Sequence, residues 1–118
     1  MSNSAPVALI TGAARGIGLA TARRFLADGY RVALLDIDAD TLNDTAALLS
    51  PAEDVLALHC DVAYPDQVEA AVAELEARFG RLDALVNNAG VAVFKPLLET
   101  TYEEWGRSSS SSVLMLSI

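Results

Sequence analysis

Three glycines within Thr11-Gly12-Ala13-Ala14-Arg15-Gly16-Ile17-Gly18 follow a short apolar run and open a helix-like pattern. That is the place where backbone N–H groups at a helix N-terminus face a phosphate. Gly12 permits a tight turn, Gly16 lets the backbone approach a pyrophosphate with no Cβ in the way, and Gly18 allows close contact between helix and strand. Such loops also occur where nothing binds, so the spacing alone is a weak signal. Asp36 narrows it, because a carboxylate ending the second apolar run stands where both hydroxyls of an adenosine ribose can be accepted. The same charge repels a 2′-phosphate, which makes NAD the expected cofactor rather than NADP. No Gly-Lys-Ser/Thr follows the loop and the only lysine is Lys95, which argues against a nucleoside triphosphate. Arg15 either contacts the cofactor phosphates or is an exposed arginine on a turn.

The elements that must position these groups are legible as a repeated unit. Val7-Ala8-Leu9-Ile10 is a continuous apolar run of the kind found in strands covered on both faces. Leu19, Ala22, Phe25 and Leu26 then recur at helical spacing, and Gly29 supplies a stop. A strand over 32–36 precedes a helix marked by Leu42, Ala46 and Leu49, for which Asp40 is the expected cap. Val55-Leu56-Ala57-Leu58 is a third strand. After Pro65 the stripe Val68, Val72, Leu75, Phe79 runs to Gly80, and Ala84-Leu85-Val86 is a fourth strand. Thr101-x-x-Glu104 has capping-box spacing and marks the start of one more helix. Strands alternating with helices imply right-handed crossovers and an α/β, doubly wound parallel sheet of Rossmann type. Its strand order is expected to be 3-2-1-4, truncated after about the fourth strand.

The pattern changes after Trp105. Five serines, Ser108 to Ser112, lead into Val113-Leu114-Met115-Leu116-Ser117-Ile118. A serine run suits a solvated linker. The apolar end is the one candidate to cover the fourth strand, as a fifth parallel strand or by exchange into a partner. The expected division is therefore 1–105 as an NAD-binding domain and 106–118 as a Ser-rich tail.

Composition excludes several function classes. The chain has 118 residues, with 8 Lys and Arg against 16 Asp and Glu, a formal net charge of −8 and 53% hydrophobic residues. That charge gives no footprint for nucleic acid or an anionic membrane. No stretch has the length of a membrane span, and the opening residues lack a leader pattern, so a cytoplasmic location is expected. Cys60 is the lone thiol, and no Cys/His cluster has metal-site spacing. His59 and Cys60 alternate across a strand and cannot pair, so Cys60 is expected in the core. The serine run lacks the Gly-x-Ser-x-Gly elbow of a hydrolase. Asp36, Asp38 and Asp40 could suggest a receiver domain's acidic pocket, but Thr11-Gly12 follows the first strand where that fold places its acid pair.

Together, Thr11-Gly12-Ala13-Ala14-Arg15-Gly16-Ile17-Gly18, Asp36, Asp61-Val62 and Asn87-Asn88-Ala89-Gly90 resemble the short-chain dehydrogenase/reductase (SDR) family over roughly residues 7–105. The resemblance implies that Asp61 holds the adenine amino group and that Val62 offers backbone to the adenine ring. It also implies that the turn from Asn87 to Gly90 buttresses the central strand beside the cofactor ribose. The cofactor-binding set it gives is Gly12, Arg15, Gly16, Ile17, Gly18, Asp36, Ile37, Asp61, Val62, Asn88, Ala89 and Gly90. The family's Tyr-x-x-x-Lys pair is missing: Tyr30, Tyr64 and Tyr102 are followed four positions on by Leu34, Val68 and Gly106. Ser112 stands near where a catalytic asparagine is expected. The chain thus resembles the amino-terminal, cofactor-binding half of an NAD-dependent oxidoreductase, with no catalytic or metal residue of its own. Its implied partners are a small alcohol or ketone substrate in the full-length enzyme and further copies in a homo-oligomer. The alternatives are a non-catalytic NAD-binding module and an inactive truncated product.

Overall fold

A computed structural model describes residues 5–14, 16–49, 51–61, 63–88 and 114–117. The expected helix starting at Thr101, the serine run, Arg15, Val62, Ala89 and Gly90 lie outside the described residues. The element order is β1 (Val7–Thr11), α1 (Gly16–Ala27), β2 (Arg31–Asp36), α2 (Ala39–Leu48), a turn of 3-10 helix (Ala52–Asp54), β3 (Val55–His59), α3 (Pro65–Phe79), β4 (Ala84–Asn87) and β5 (Leu114–Ser117). The sheet order is β3-β2-β1-β4-β5, and its four pairings are all parallel. The expected order 3-2-1-4 is therefore present and continues by one strand. β5 pairs with β4 of its own chain, with Ala84 opposite Leu114 and Asn87 opposite Ser117, so the first of the two dispositions open to the tail is the one found.

Alternation along the strands explains why their sequences are apolar throughout. Val7, Leu9, Ala33, Leu35 and Leu85 face the layer formed by α3 with Val72, Leu75 and Phe79. Ala8, Ile10, Val32, Leu34 and Val86 face the opposite layer, where Ala22 of α1 and Leu42 of α2 pack with Leu49. β1, β2 and β4 are covered on both sides, so neither parity can carry a polar residue there at low cost. Cys60 lies in the α3 layer at 1% exposure, while His59 beside it is exposed. Burial, with the Asp61 charge adding to it, pushes the Cys60 thiol above its usual range and keeps it protonated.

One cap differs from expectation. α2 begins at Ala39, and its N-cap is Asp38, not Asp40; the Asp38 carboxylate accepts from Thr41 N at 3.1 Å and from Thr41 Oγ1 at 2.8 Å. Asp40 falls inside the first turn, where its charge favours the helix dipole without closing the end. α3 ends as its sequence indicates, with Gly80 at φ 73° donating its N–H to Glu76 O.

The amino end of the sheet is fastened separately from the carboxyl end. Asp83 accepts from Val7 N at 2.8 Å and takes two hydrogen bonds from Arg81, at 2.9 and 2.7 Å. The Arg31 guanidinium stacks over Phe79 at 4.9 Å, and burial, then the Arg81 charge, lowers its pKa from the usual arginine value. Asp83→Ala is expected to destabilise the fold by about 2 kcal/mol, because it removes the acceptor of a strand N–H and of two hydrogen bonds from Arg81. The thermal midpoint reports that loss. The amide resonances of Gly12 and Asn88, at the other end of the strands, should stay in place.

Candidate functional site

The polar residues at the carboxyl ends of β1 to β4 converge in the region where ligands of open α/β sheets bind. Thr11, fully buried at the end of β1, donates its hydroxyl proton to Val86 O at 3.4 Å and accepts from Asn88 N at 3.0 Å. Asn88 in turn donates Nδ2–H to Gly12 O at 3.1 Å. The end of β4 is thus tied to the turn after β1 by side chains and not only by the sheet ladder. Gly12 adopts φ +61°, and a Cβ there would meet Asn88 Nδ2 at 3.2 Å.

The other two glycines are required for different physical reasons. At Gly18 a Cβ would lie 2.1 Å from Gly12 O and 2.8 Å from Gly12 C, so α1 approaches the β1 turn as closely as backbone atoms permit. At Gly16, with φ +63°, a Cβ would meet nothing within 4 Å. The space beside that backbone is open at the start of α1, where N–H groups are not consumed by the helix. Those two facts fit an anionic group seated against the helix start.

Asp36 is held on both oxygens. Oδ2 accepts from Ala14 N and Oδ1 from Asp38 N, each at 3.0 Å. A carboxylate has about four lone-pair sites, so two such bonds fix its orientation and leave acceptor capacity. Ile37 follows with 60% of its surface exposed, and Ile17 of α1 is 59% exposed. Asp61 forms a turn, its carboxylate accepting from Ala63 N at 3.0 Å while its own N–H donates to Gln67 Oε1 at 2.8 Å. His59 Nε2 is 2.9 Å from Ile37 O, which joins the ends of β2 and β3.

The structure therefore brings Gly12, Gly16, Gly18, Asp36 and Asn88 into one connected region, with Ile17, Ile37 and Asp61 at the neighbouring ends. The sequence placed Thr11 in the glycine motif without giving it a role, and gave Thr45 and Gln67 no part in the site. Thr45 of α2, 5% exposed, donates its hydroxyl proton to Ala14 O at 2.6 Å. The available signal was its position: Thr45 lies on the same stripe as Leu42, Ala46 and Leu49, where a hydroxyl is unusual unless partnered.

A parallel sheet wound on both sides, with a glycine turn at the first strand end and a carboxylate at the second, defines a domain of the Rossmann type. The short chain dehydrogenase profile matches residues 6–114, and the chain belongs to that family. It is 51% identical over 87 residues to 2-(R)-hydroxypropyl-CoM dehydrogenase of Xanthobacter autotrophicus, covering 72% of this chain and 35% of that protein. Among solved structures, a 3-ketoacyl-(acyl-carrier-protein) reductase from Brucella melitensis complexed with NADH is similar at a TM-score of 0.82 and 28% identity, over 95% of this chain and 55% of that one. An actinorhodin polyketide ketoreductase with NADPH is similar at a TM-score of 0.69 and 34% identity, over 82% of this chain and 42% of that one. The chain spans 35%, 38% and 40% of the length of three curated relatives that it matches.

Proposed function

We propose that the carboxyl end of this sheet binds NAD, and that the protein acts as an oxidoreductase transferring hydride between NAD(H) and an alcohol or carbonyl carbon of a small molecule. The observation that carries the reading is the Asp36 carboxylate, fixed by two backbone N–H groups at the end of β2, one strand away from the open backbone of Gly16. Gly12, Gly16, Ile17 and Gly18 would receive the phosphates at the start of α1, with Arg15 beside them. Asp36 would accept the ribose hydroxyls, and Ile37, Asp61 and Val62 would line the adenine side. Asn88, Ala89 and Gly90 would flank the second ribose. Bound there, the nicotinamide supplies the hydride chemistry, and the protein's task is orientation and exclusion of competing ligands.

Of the two structural neighbours, one is complexed with NADH and the other with NADPH. Asp36 is what selects NAD in this reading, since a 2′-phosphate placed against a fixed carboxylate is disfavoured. In this reading residues 1–105 are the cofactor-binding unit of a cytoplasmic homo-oligomer. Among the described residues, no helix is long and apolar enough to cross a membrane, and no group of acidic, His and Cys side chains could hold a metal ion. Calorimetric titration of the chain with NAD and with NADP tests the proposal. NAD is expected to bind more tightly by about tenfold or more, a difference of ~1.4 kcal/mol. Equal affinities, or tighter NADP, would remove Asp36 from the role assigned to it.

A further inference from the structure

From Thr45 of α2, we infer a positioning residue for cofactor selection, acting on Asp36 through the backbone of Ala14. The inference rests on the NAD reading above. Ala14 is clamped at both ends: its N–H donates to Asp36 Oδ2 at 3.0 Å, and its carbonyl accepts from Thr45 Oγ1 at 2.6 Å. A threonine inside a helix commonly turns its hydroxyl back to the carbonyl four residues earlier. Thr45 instead donates to a residue 31 positions away, in a buried environment.

The same bonds close a ring. Asp36 Oδ1 accepts from Asp38 N, Asp38 caps α2, α2 carries Thr45, Thr45 holds Ala14, and Ala14 returns to Asp36 Oδ2. Every member is fixed by the next, so the orientation of the Asp36 carboxylate depends on a hydroxyl that never faces the ribose. Loss of that hydroxyl leaves the buried Ala14 carbonyl without its Thr45 donor, and Ala14 can then change ψ, with a compensating change in φ, to find another. The N–H lies in the preceding peptide plane, joined to the carbonyl through Cα, and the accompanying change in φ turns it away from Asp36. Binding of phosphates to the loop is common to NAD and NADP, whereas alignment of Asp36 favours NAD alone. The ratio of the two affinities therefore separates positioning from general loosening, because a partly unfolded sample loses both in the same proportion.

The experiment measures dissociation constants for NAD and NADP by calorimetry on the 118-residue chain carrying Thr45→Val, Thr45→Ser, Asp36→Ala, and Thr45→Val with Asp36→Ala, each with its thermal midpoint. Thr45→Val is expected to lower the NAD/NADP affinity ratio by about tenfold, the scale of one lost hydrogen bond. Thr45→Ser should restore the ratio, and Thr45→Val should change it no further once Asp36 is alanine. A lower midpoint with an unchanged ratio in Thr45→Val overturns the inference, leaving Thr45 as a structural hydrogen bond. If Thr45→Val does not fold, Thr45→Ala decides: a ratio lowered toward that of Asp36→Ala supports the inference, and a wild-type ratio contradicts it. Should Asp36→Ala itself leave the ratio unchanged, the NAD reading has failed, which is a different result from failure at Thr45 alone.

Discussion

Gly18→Ala is expected to cost about 3 kcal/mol of stability, at the upper end of the range for overpacked sites, and to abolish measurable dinucleotide binding. The added methyl would sit 2.1 Å from Gly12 O and 2.9 Å from Ala13 Cα, and neither atom belongs to a side chain that can rotate away. α1 must therefore shift outward, or the turn after β1 must move toward Asn88. The first displacement withdraws the helix start from the turn, and the second disturbs the contact from Asn88 to Gly12. For a domain of this size the thermal midpoint should fall by roughly 10 °C. Gly16→Ala is the matched comparison. Its methyl meets nothing, so the stability loss is limited to the strain of φ +63°, about 1–2 kcal/mol. If Gly16→Ala lowers dinucleotide affinity with a smaller midpoint shift than Gly18→Ala, the two glycines do the separate tasks assigned to them. Identical losses in both variants would show that the loop responds as a whole and that the close approach at Gly18 has no special weight.

The second large effect is at Asp36. Asp36→Ala is expected to weaken NAD by about 10- to 100-fold, the scale of losing two hydrogen bonds to a charged acceptor partly replaced by water. NADP should change by less than about threefold or bind more tightly, because removal of the carboxylate also removes repulsion of the 2′-phosphate. The variant gives up the acceptor for Ala14 N and Asp38 N as well, so its midpoint must be read in the absence of ligand. Asp36→Asn keeps an acceptor oxygen and removes the charge, and it should fall between wild type and alanine for NAD. Losses of equal size for NAD and NADP in Asp36→Ala would mean that the carboxylate supports the loop and does not contact the ribose.

Much of this architecture was readable before any coordinates. Continuous apolar runs in β1, β2 and β4 follow from coverage on both faces, and the structure divides their residues between two layers. Pro65 and Gly80 marked both ends of α3 because each acts through its own backbone restriction. The cap of α2 was less legible. Asp38 and Asp40 are chemically equivalent, and what selects Asp38 is its N–H bond to Asp36, a contact that fixes where the helix starts. β5 was open to two dispositions because Val113 to Leu116 has no local feature that specifies a partner; pairing with β4 is decided by the sheet edge. In the candidate site, Gly12, Gly16, Gly18 and Asp36 stood out by glycine and carboxylate spacing, and Asp61 and Asn88 only through the family resemblance. The bonds of the Thr11 and Thr45 hydroxyls were not legible, since a hydroxyl carries no spacing signature and their partners lie 77 and 31 positions away.

The most direct test is a titration of isotopically labelled chain with NAD, followed by amide nuclear magnetic resonance. Saturable shifts are expected at Gly12, Gly16, Gly18, Ile37 and Asp61, with Arg31, Arg81 and Asp83 at the opposite end of the sheet unmoved. Shifts confined to that opposite end, or no saturable shift with NAD at millimolar concentration, would contradict a dinucleotide site at the carboxyl ends of the strands.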